Sequence, residues 1–330
     1  MAATEEVKTD VPSDRPRWLV NIEESIEEEL DEFSSESPYY EIVRDMLLAP
    51  KDSDTAVPDA VNRFYDLYIS SAENERREPP DYMAGFKLNS MASIVFETVR
   101  DVFYTTFEHD RLAEFLIGIK KGAAAEYDPE VSEIIAVSAL RIADHGLQNP
   151  QFVYHGWGLE AIAEKGWNAA RGMYYILRLK HLANRCSVDE STKNLATEPE
   201  DIWSEAWLNI SGLISKLYRG GLLDTDGPIW VSTDLQEALE TKIDENVSSD
   251  AGRQAQALAA VNHILIAGEV FAKDVKAASE TQKADFNAEK WKFWADKMKE
   301  IADLVDESAR WNLKERAKEG HEMMVELWLE

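Results

Sequence analysis

Apolar residues recur at three- and four-residue intervals along most of this chain, a spacing that predicts amphipathic α-helices with one buried face. The pattern is clearest over 107–121, 203–218 and 291–329. It opens with Trp18, Leu19, Ile22, Ile26, Leu30 and Phe33 on one stripe. Pro38 ends that segment and starts 39–48, and Thr55 with Pro58 predicts a helix carrying Val61, Phe64, Tyr65, Leu67 and Tyr68. The polar run 70–85, with Pro79 and Pro80 together, reads as a loop. Helices are expected again over 86–104, 108–121, 128–145, 159–185 and 201–218, the last stopped by Gly220 and Gly221. After a turn at 224–228, residues 233–247 read as wholly or partly helical and 251–278 as an alanine-rich helix. Asn287 then caps a final helical region to Trp328, broken near Asn312 and Gly320. The expected fold is an all-α bundle of orthogonal or stacked helical hairpins, with roughly ten helices and no β-sheet. Residues 1–17 read as a disordered acidic tail and 18–330 as a single helical domain, whose best dividing point lies near 187–200.

With 330 residues, 45% of them hydrophobic, the chain can bury a sizeable core. Its net charge of −28 repels phosphate backbones and anionic lipid surfaces, so neither a nucleic acid nor a membrane is an expected partner. Only 171–185 offers a short basic stretch. Cys186 is the one cysteine, so no intrachain disulfide can form, which fits a reducing compartment such as the cytoplasm. The first residues lack an apolar segment, and no run approaches 18 apolar residues, so neither a signal peptide nor a membrane span is expected.

The motifs that carry chemistry are weak. Gly156-Trp157-Gly158-Leu159-Glu160-Ala161 matches a dinucleotide fingerprint in letters, but its setting is helical and a Trp stands between the glycines, so it reads as a helix start. His321-Glu322 begins like a zinc-protease helix, yet Val325 stands where the second histidine belongs. Cys186 has His181 and several cations nearby but reads as structural. Carboxylate pairs such as Asp303 and Asp306 read as solvated surface. No metal or cofactor is implied. What remains is the aromatic content, 10 Trp among 330 residues. Trp203, Trp207, Ile210, Leu213, Ile214 and Leu217 share one helix side, and Trp291, Trp294, Met298, Ile301 and Val305 another. Such stripes are core seams first and pocket walls second.

Three segments carry a family resemblance: His109 to Leu116 with Ile119 and Lys120, Glu205 to Ser211 running into Leu213 and Leu217, and Trp291 to Trp294 leading to the helix at 317–324. In order and spacing, over about 90–325, they resemble the fungal domain-of-unknown-function family 3632. The resemblance implies a fungal, intracellular, helical protein and carries no activity. Where that family continues with phenylalanine or alanine after its Trp-x-Asn element, this chain has Ser211 and Gly212. Asn209, on the inner side of an apolar helix, needs hydrogen-bond partners and reads first as a polar bracket between helices. The leading functional expectation is a non-enzymatic interaction or scaffold protein, with a protein partner or a second copy on an apolar helix face. The alternative is a binder of an apolar small molecule, or a metal-independent tailoring or cyclising enzyme of fungal secondary metabolism. In that case His109, Arg111, Tyr154, His155, Trp157, Trp203, Trp207 and Asn209 are expected to line an aromatic pocket.

Overall fold

A computed structural model describes residues 15–31, 35–74, 80–126, 152–183, 200–240, 245–281 and 286–329. Within them the chain is all-α. The helices are α1 (Arg17–Glu28), α2 (Ser37–Leu48), α3 (Ala56–Asn74), α4 (Pro80–Val99), α5 (Phe107–Gly122), α6 (Gly156–Ala183), α7 (Glu200–Arg219), α8 (Gly227–Leu239), α9 (Ala251–Thr281), α10 (Ala288–Leu304) and α11 (Leu313–Leu329). The expected absence of strands needs one correction. Ala125–Glu126 (β1) and Val153–Tyr154 (β2) form a two-residue parallel pair, extended by the Ala124 N–H donating to the Phe152 carbonyl at 3.0 Å. Most of the expected tail, the helix at 128–145, Cys186 and the dividing point near 187–200 lie outside the described residues.

α9 organises the core. Alanines 255, 257, 259, 260, 267 and 272 are all buried on it, and such small side chains let α7, α8 and α11 pack closely around it. Its stretch Ala251–Ser279 is long and apolar enough to cross a membrane, but 78% of the apolar window is buried inside the fold, as befits a core helix. α10 and α11 form a hairpin against it, sealed by Trp291 and Trp294, which are 1% and 0% exposed. The Trp291 indole N–H donates to the Met324 carbonyl at 3.0 Å, and His321 Nδ1 meets the Ala295 carbonyl at 2.8 Å. On the other side α1, α2 and α3 pack with α4 and α5, and α7 joins the two groups through its contacts with α4, α5, α6, α8 and α9. One continuous apolar core runs from Trp18 to Met324.

Several helix ends differ from the sequence expectation, each for a local reason. The helices on both sides of the 70–85 run extend into it: α3 continues to Asn74 and α4 begins at Pro80. A proline in the first turn gives up no intrahelical hydrogen bond, so Pro79-Pro80 marks a start as readily as a stop. The same holds at Gly227-Pro228, where α8 begins earlier than expected and ends at Leu239. Asn287 caps α10 as expected, its Oδ1 accepting from the Glu289 and Lys290 N–H groups at 3.0 Å. The break near Asn312 is present, with Trp311 and Asn312 both at positive φ, 53° and 58°. Gly320 breaks nothing. It lies inside α11, where an added Cβ would sit 3.1 Å from Met298 Sδ.

Gly158 shows what the glycine pair at the start of α6 is for. A Cβ there would stand 2.3 Å from the Gly85 carbonyl oxygen of α4, so the two backbones cross in contact. A Gly158→Ala change therefore forces α4 and α6 apart and is expected to cost about 2–3 kcal/mol in denaturant unfolding. Gly172, on the same helix with nothing within 4 Å of an added Cβ, is the control. There an alanine is expected to stabilise by up to about 1 kcal/mol. Equal effects at both positions would contradict the crossing.

Candidate functional site

The eight residues expected to line one pocket are dispersed over several places in the fold. Arg111, on α5, closes the end of α2: its guanidinium donates to the carbonyls of Met46 (3.1 Å), Ala49 (2.7 Å) and Pro50. Cations are favoured at helix C-termini, where backbone carbonyls have no helical partner. Tyr154 is buried on β2 beneath the Lys120 ammonium, 5.4 Å from its ring centroid. His155 and Trp157 meet edge to face at the start of α6, with Trp157 58% exposed. Trp207 is buried in the core.

His109 and Asn209 do come together, in a polar bracket that holds α7 against the turn between α4 and α5. Asn209 Oδ1 accepts from the Tyr104 N–H at 3.0 Å, and its Nδ2 donates to the Arg100 carbonyl at 3.0 Å. His109 Nε2–H donates to the Asn209 carbonyl at 2.9 Å, which leaves Nδ1 as acceptor for the Lys216 ammonium at 2.9 Å. Lys216 spends its other donors on the Tyr104 carbonyl (2.8 Å) and Asp110 Oδ1 (2.7 Å). Gly212 makes the arrangement fit, since a Cβ there would lie 2.9 Å from Tyr104 Cβ and 3.6 Å from the His109 ring. Gly212 thus admits the bracket.

A second polar group, unforeseen from the sequence, joins α6, α7, α8 and α9. Ser215 Oγ lies 2.7 Å from His263 Nδ1, and His263 Nε2 lies 2.9 Å from Asp234 Oδ2. The Trp167 indole N–H donates to the same carboxylate at 3.2 Å. The order Ser–His–Asp is that of a nucleophile with its base and orienting acid. Here, however, the three residues are 0%, 0% and 2% exposed, so a substrate carbonyl has no approach to the hydroxyl. The Ser215 hydroxyl also donates to the Ser211 carbonyl at 2.7 Å, one turn back along its own helix. The trio acts as a cross-brace.

Trp203, among the eight expected residues, lines two cavities. Two adjoining cavities of about 280 and 350 Å³ share a wall formed by Glu97, Arg100, Trp203 and Ala206. The smaller, between α1, α4 and α7, is lined by polar groups already engaged: Asn21 donates to Asp101 at 2.7 Å, and Arg17 pairs with Asp101 at 3.3 Å. Tyr40, also there, donates to Glu97 at 3.4 Å, and burial together with that carboxylate pushes its hydroxyl up to about 12. The larger cleft, between α4, α6 and α7, has apolar walls of Phe96, Ile162, Ala170 and Ile210, with Arg100 and Lys165 also lining it. The Arg100 guanidinium stacks over the Trp203 ring, 5.2 Å from its centroid. The indole Nε1 of Trp203 is buried with no hydrogen-bond partner. Other buried polar atoms share that condition, including Tyr154 Oη, Ser211 Oγ, Asn262 Nδ2 and Arg171 Nε, but those residues line neither cavity. Sequence reading missed the cleft's other members. Their signal was present in the small residues Gly166, Ala169, Ala170 and Ala206 on two helices, with Arg100 a helical step from Phe96. Among the described residues, no group of three or more His, Cys, Asp or Glu could hold a metal ion.

The bracket has a pH signature. Burial, and then the neighbouring Lys216 ammonium, push the His109 imidazole down to about 3. The folded chain thus keeps His109 neutral, whereas the unfolded imidazole protonates below about 6.5. Unfolding takes up this proton between about pH 6.5 and about 3, so folded-state stability falls as pH drops through that window, by about 1.4 kcal/mol per pH unit. His109→Gln removes the dependence. The stability advantage of the wild type over this variant is expected to shrink steadily on acidification, and curves that stay parallel would contradict a neutral, buried His109.

Comparison with known proteins locates the chain without assigning it an activity. No curated protein and no solved structure matches it. A family model described as "Protein of unknown function (DUF3632)" matches residues 93–298. That span is more than half of the 330 residues, and it holds every residue of the larger cleft, from Ser93 to Ile210, and both polar groups apart from their surroundings in α1–α3 and α11. The chain belongs to the DUF3632 family.

Proposed function

We propose that this protein binds a small organic molecule in the cleft between α4, α6 and α7. The observation that carries this reading is the Trp203 indole N–H, buried and unpartnered in the wall of a cavity of about 350 Å³. A buried donor left unpaired costs about 1–3 kcal/mol, a cost that a ligand acceptor removes. The volume falls in the usual range for small-molecule sites, about 300–1,000 Å³, and the walls are mainly apolar with few polar groups, as such sites are.

Native mass spectrometry of the protein purified from its own source tests this reading. The wild type is expected to carry an organic adduct that Ala170→Phe, which fills the cleft, loses while keeping its thermal midpoint. An adduct retained equally by both, or absent from the wild type, would count against the cleft.

A partner-protein role has one specific support. On the C-terminal hairpin, Phe293 and Leu304 are 42% and 44% exposed, and Val325 and Leu329 are 44% and 84% exposed. Spacings of eleven and four residues place each pair on one side of its helix. A concentration-dependent change in mass, abolished by Leu329→Glu, would favour that reading over the cleft.

A further inference from the structure

We infer that the cleft takes an amphipathic organic acid, its carboxylate held by Arg100 and Lys165 and its apolar body lying between α4, α6 and α7. This deepens the cleft reading and rests on it. The first observation is charge. The chain has 63 acidic residues against 35 Lys and Arg, yet the cleft lining holds two cations and a single acid, Glu97. Arg100 and Lys165 are both exposed and both line the cleft, and neither makes a salt bridge among the described residues. Arg44, Arg63, Lys120, Arg171 and Lys290 have acidic partners, whereas the exposed Lys51, Lys121, Arg219, Lys273 and Lys292 make no salt bridge among the described residues either; what sets Arg100 and Lys165 apart is that both line one mainly apolar cleft.

The second observation is preorganisation. The Arg100 backbone is pinned, its carbonyl accepting from Asn209 Nδ2 at 3.0 Å, and its guanidinium lies against the Trp203 ring at 5.2 Å. A planar guanidinium fixed on an aromatic face presents its remaining N–H groups as a fork, the geometry that matches a carboxylate. Lys165, on α6, adds a second positive charge to the cleft lining. The Trp203 indole N–H supplies a neutral donor to the same head group or to an oxygen next to it.

The third observation is the composition of the lining, in which apolar and small residues outnumber the polar ones. Phe96, Ile162, Ala170, Ala206 and Ile210 offer no hydrogen-bonding side chain, so the body of the ligand must be apolar. Glu97, the one acidic residue in the cleft lining, accepts the Tyr40 hydroxyl at 3.4 Å from the neighbouring cavity. A cationic head group would have only Glu97 to meet and would face Arg100 and Lys165.

Isothermal titration of the full chain with decanoate, 1-decanol and decylammonium tests the inference. Decanoate is expected to bind most tightly and decylammonium not detectably. Arg100→Gln and Lys165→Gln are each expected to weaken decanoate about five- to tenfold and to leave 1-decanol unchanged. Both side chains are exposed, so neither change disturbs the core, and circular dichroism checks that the variants fold. If 1-decanol binds as tightly as decanoate, or if Arg100→Gln leaves decanoate unaffected, the acid-binding inference falls and the cleft reading stands. If none of the three probes binds a wild type that also carries no adduct, both fall.

Discussion

Every polar group taken into an apolar interior must find a partner there, and in this fold α7 bears most of that demand. It is the helix on which the two halves of the bundle meet, buried on almost every side from Ala206 to Tyr218. Yet it carries Asn209, Ser211, Ser215 and Lys216 into that interior. A purely apolar helix would pack as well but would slide and rotate among its neighbours at little cost. Asn209 and Lys216 fix its position against the α4–α5 turn, and Ser215 fixes it against His263 of α9. Removing one member of such a group leaves the others buried and unpaired, a loss larger than the net gain of forming the bond.

Against that background of paired groups, the outer end of α7 stands apart. Trp203 is about three turns from the His263 contact and nearly two turns from Asn209; it lines the cleft, and its indole N–H is buried without a hydrogen-bond partner. The cations Arg100 and Lys165, which line the same cleft, make no salt bridge among the described residues. The same helix therefore does two things. Its inner turns lock the fold, and its first turns, with Phe96 of α4, Arg100 just beyond it and the small residues of α6, shape a cleft. The rigidity of the first is useful to the second, because a preformed site loses less entropy on binding.

Helix-period stripes made the fold class legible from the sequence, and the tryptophan seams at 203–217 and 291–305 fall where a 3.6-residue repeat puts them. Less legible were boundaries set by proline, because Pro80 and Pro228 serve as well at the start of a helix as after its end. The two-residue β1–β2 pair leaves no periodic signal at all. The Ser215–His263–Asp234 trio was hidden for a different reason: its members are scattered along the chain, and nothing local to any one of them announces the others. Asn209 could be read because a polar residue inside a regular apolar stripe is a local anomaly. The cleft could not, since Arg100 and Lys165 look like ordinary surface cations until the fold brings them to one cleft with Trp203.

The claim on which the functional account stands is that the Trp203 indole N–H awaits an acceptor from outside the chain. Indole 15N–1H NMR of the tryptophan-labelled protein, with Trp203 assigned through Trp203→Phe, observes that proton directly. On addition of decanoate its resonance is expected to move downfield as a hydrogen bond forms, while those of Trp167 and Trp291, already bonded within the fold, stay in place. A Trp203 signal that does not respond, or that moves no more than the other two, would contradict the account.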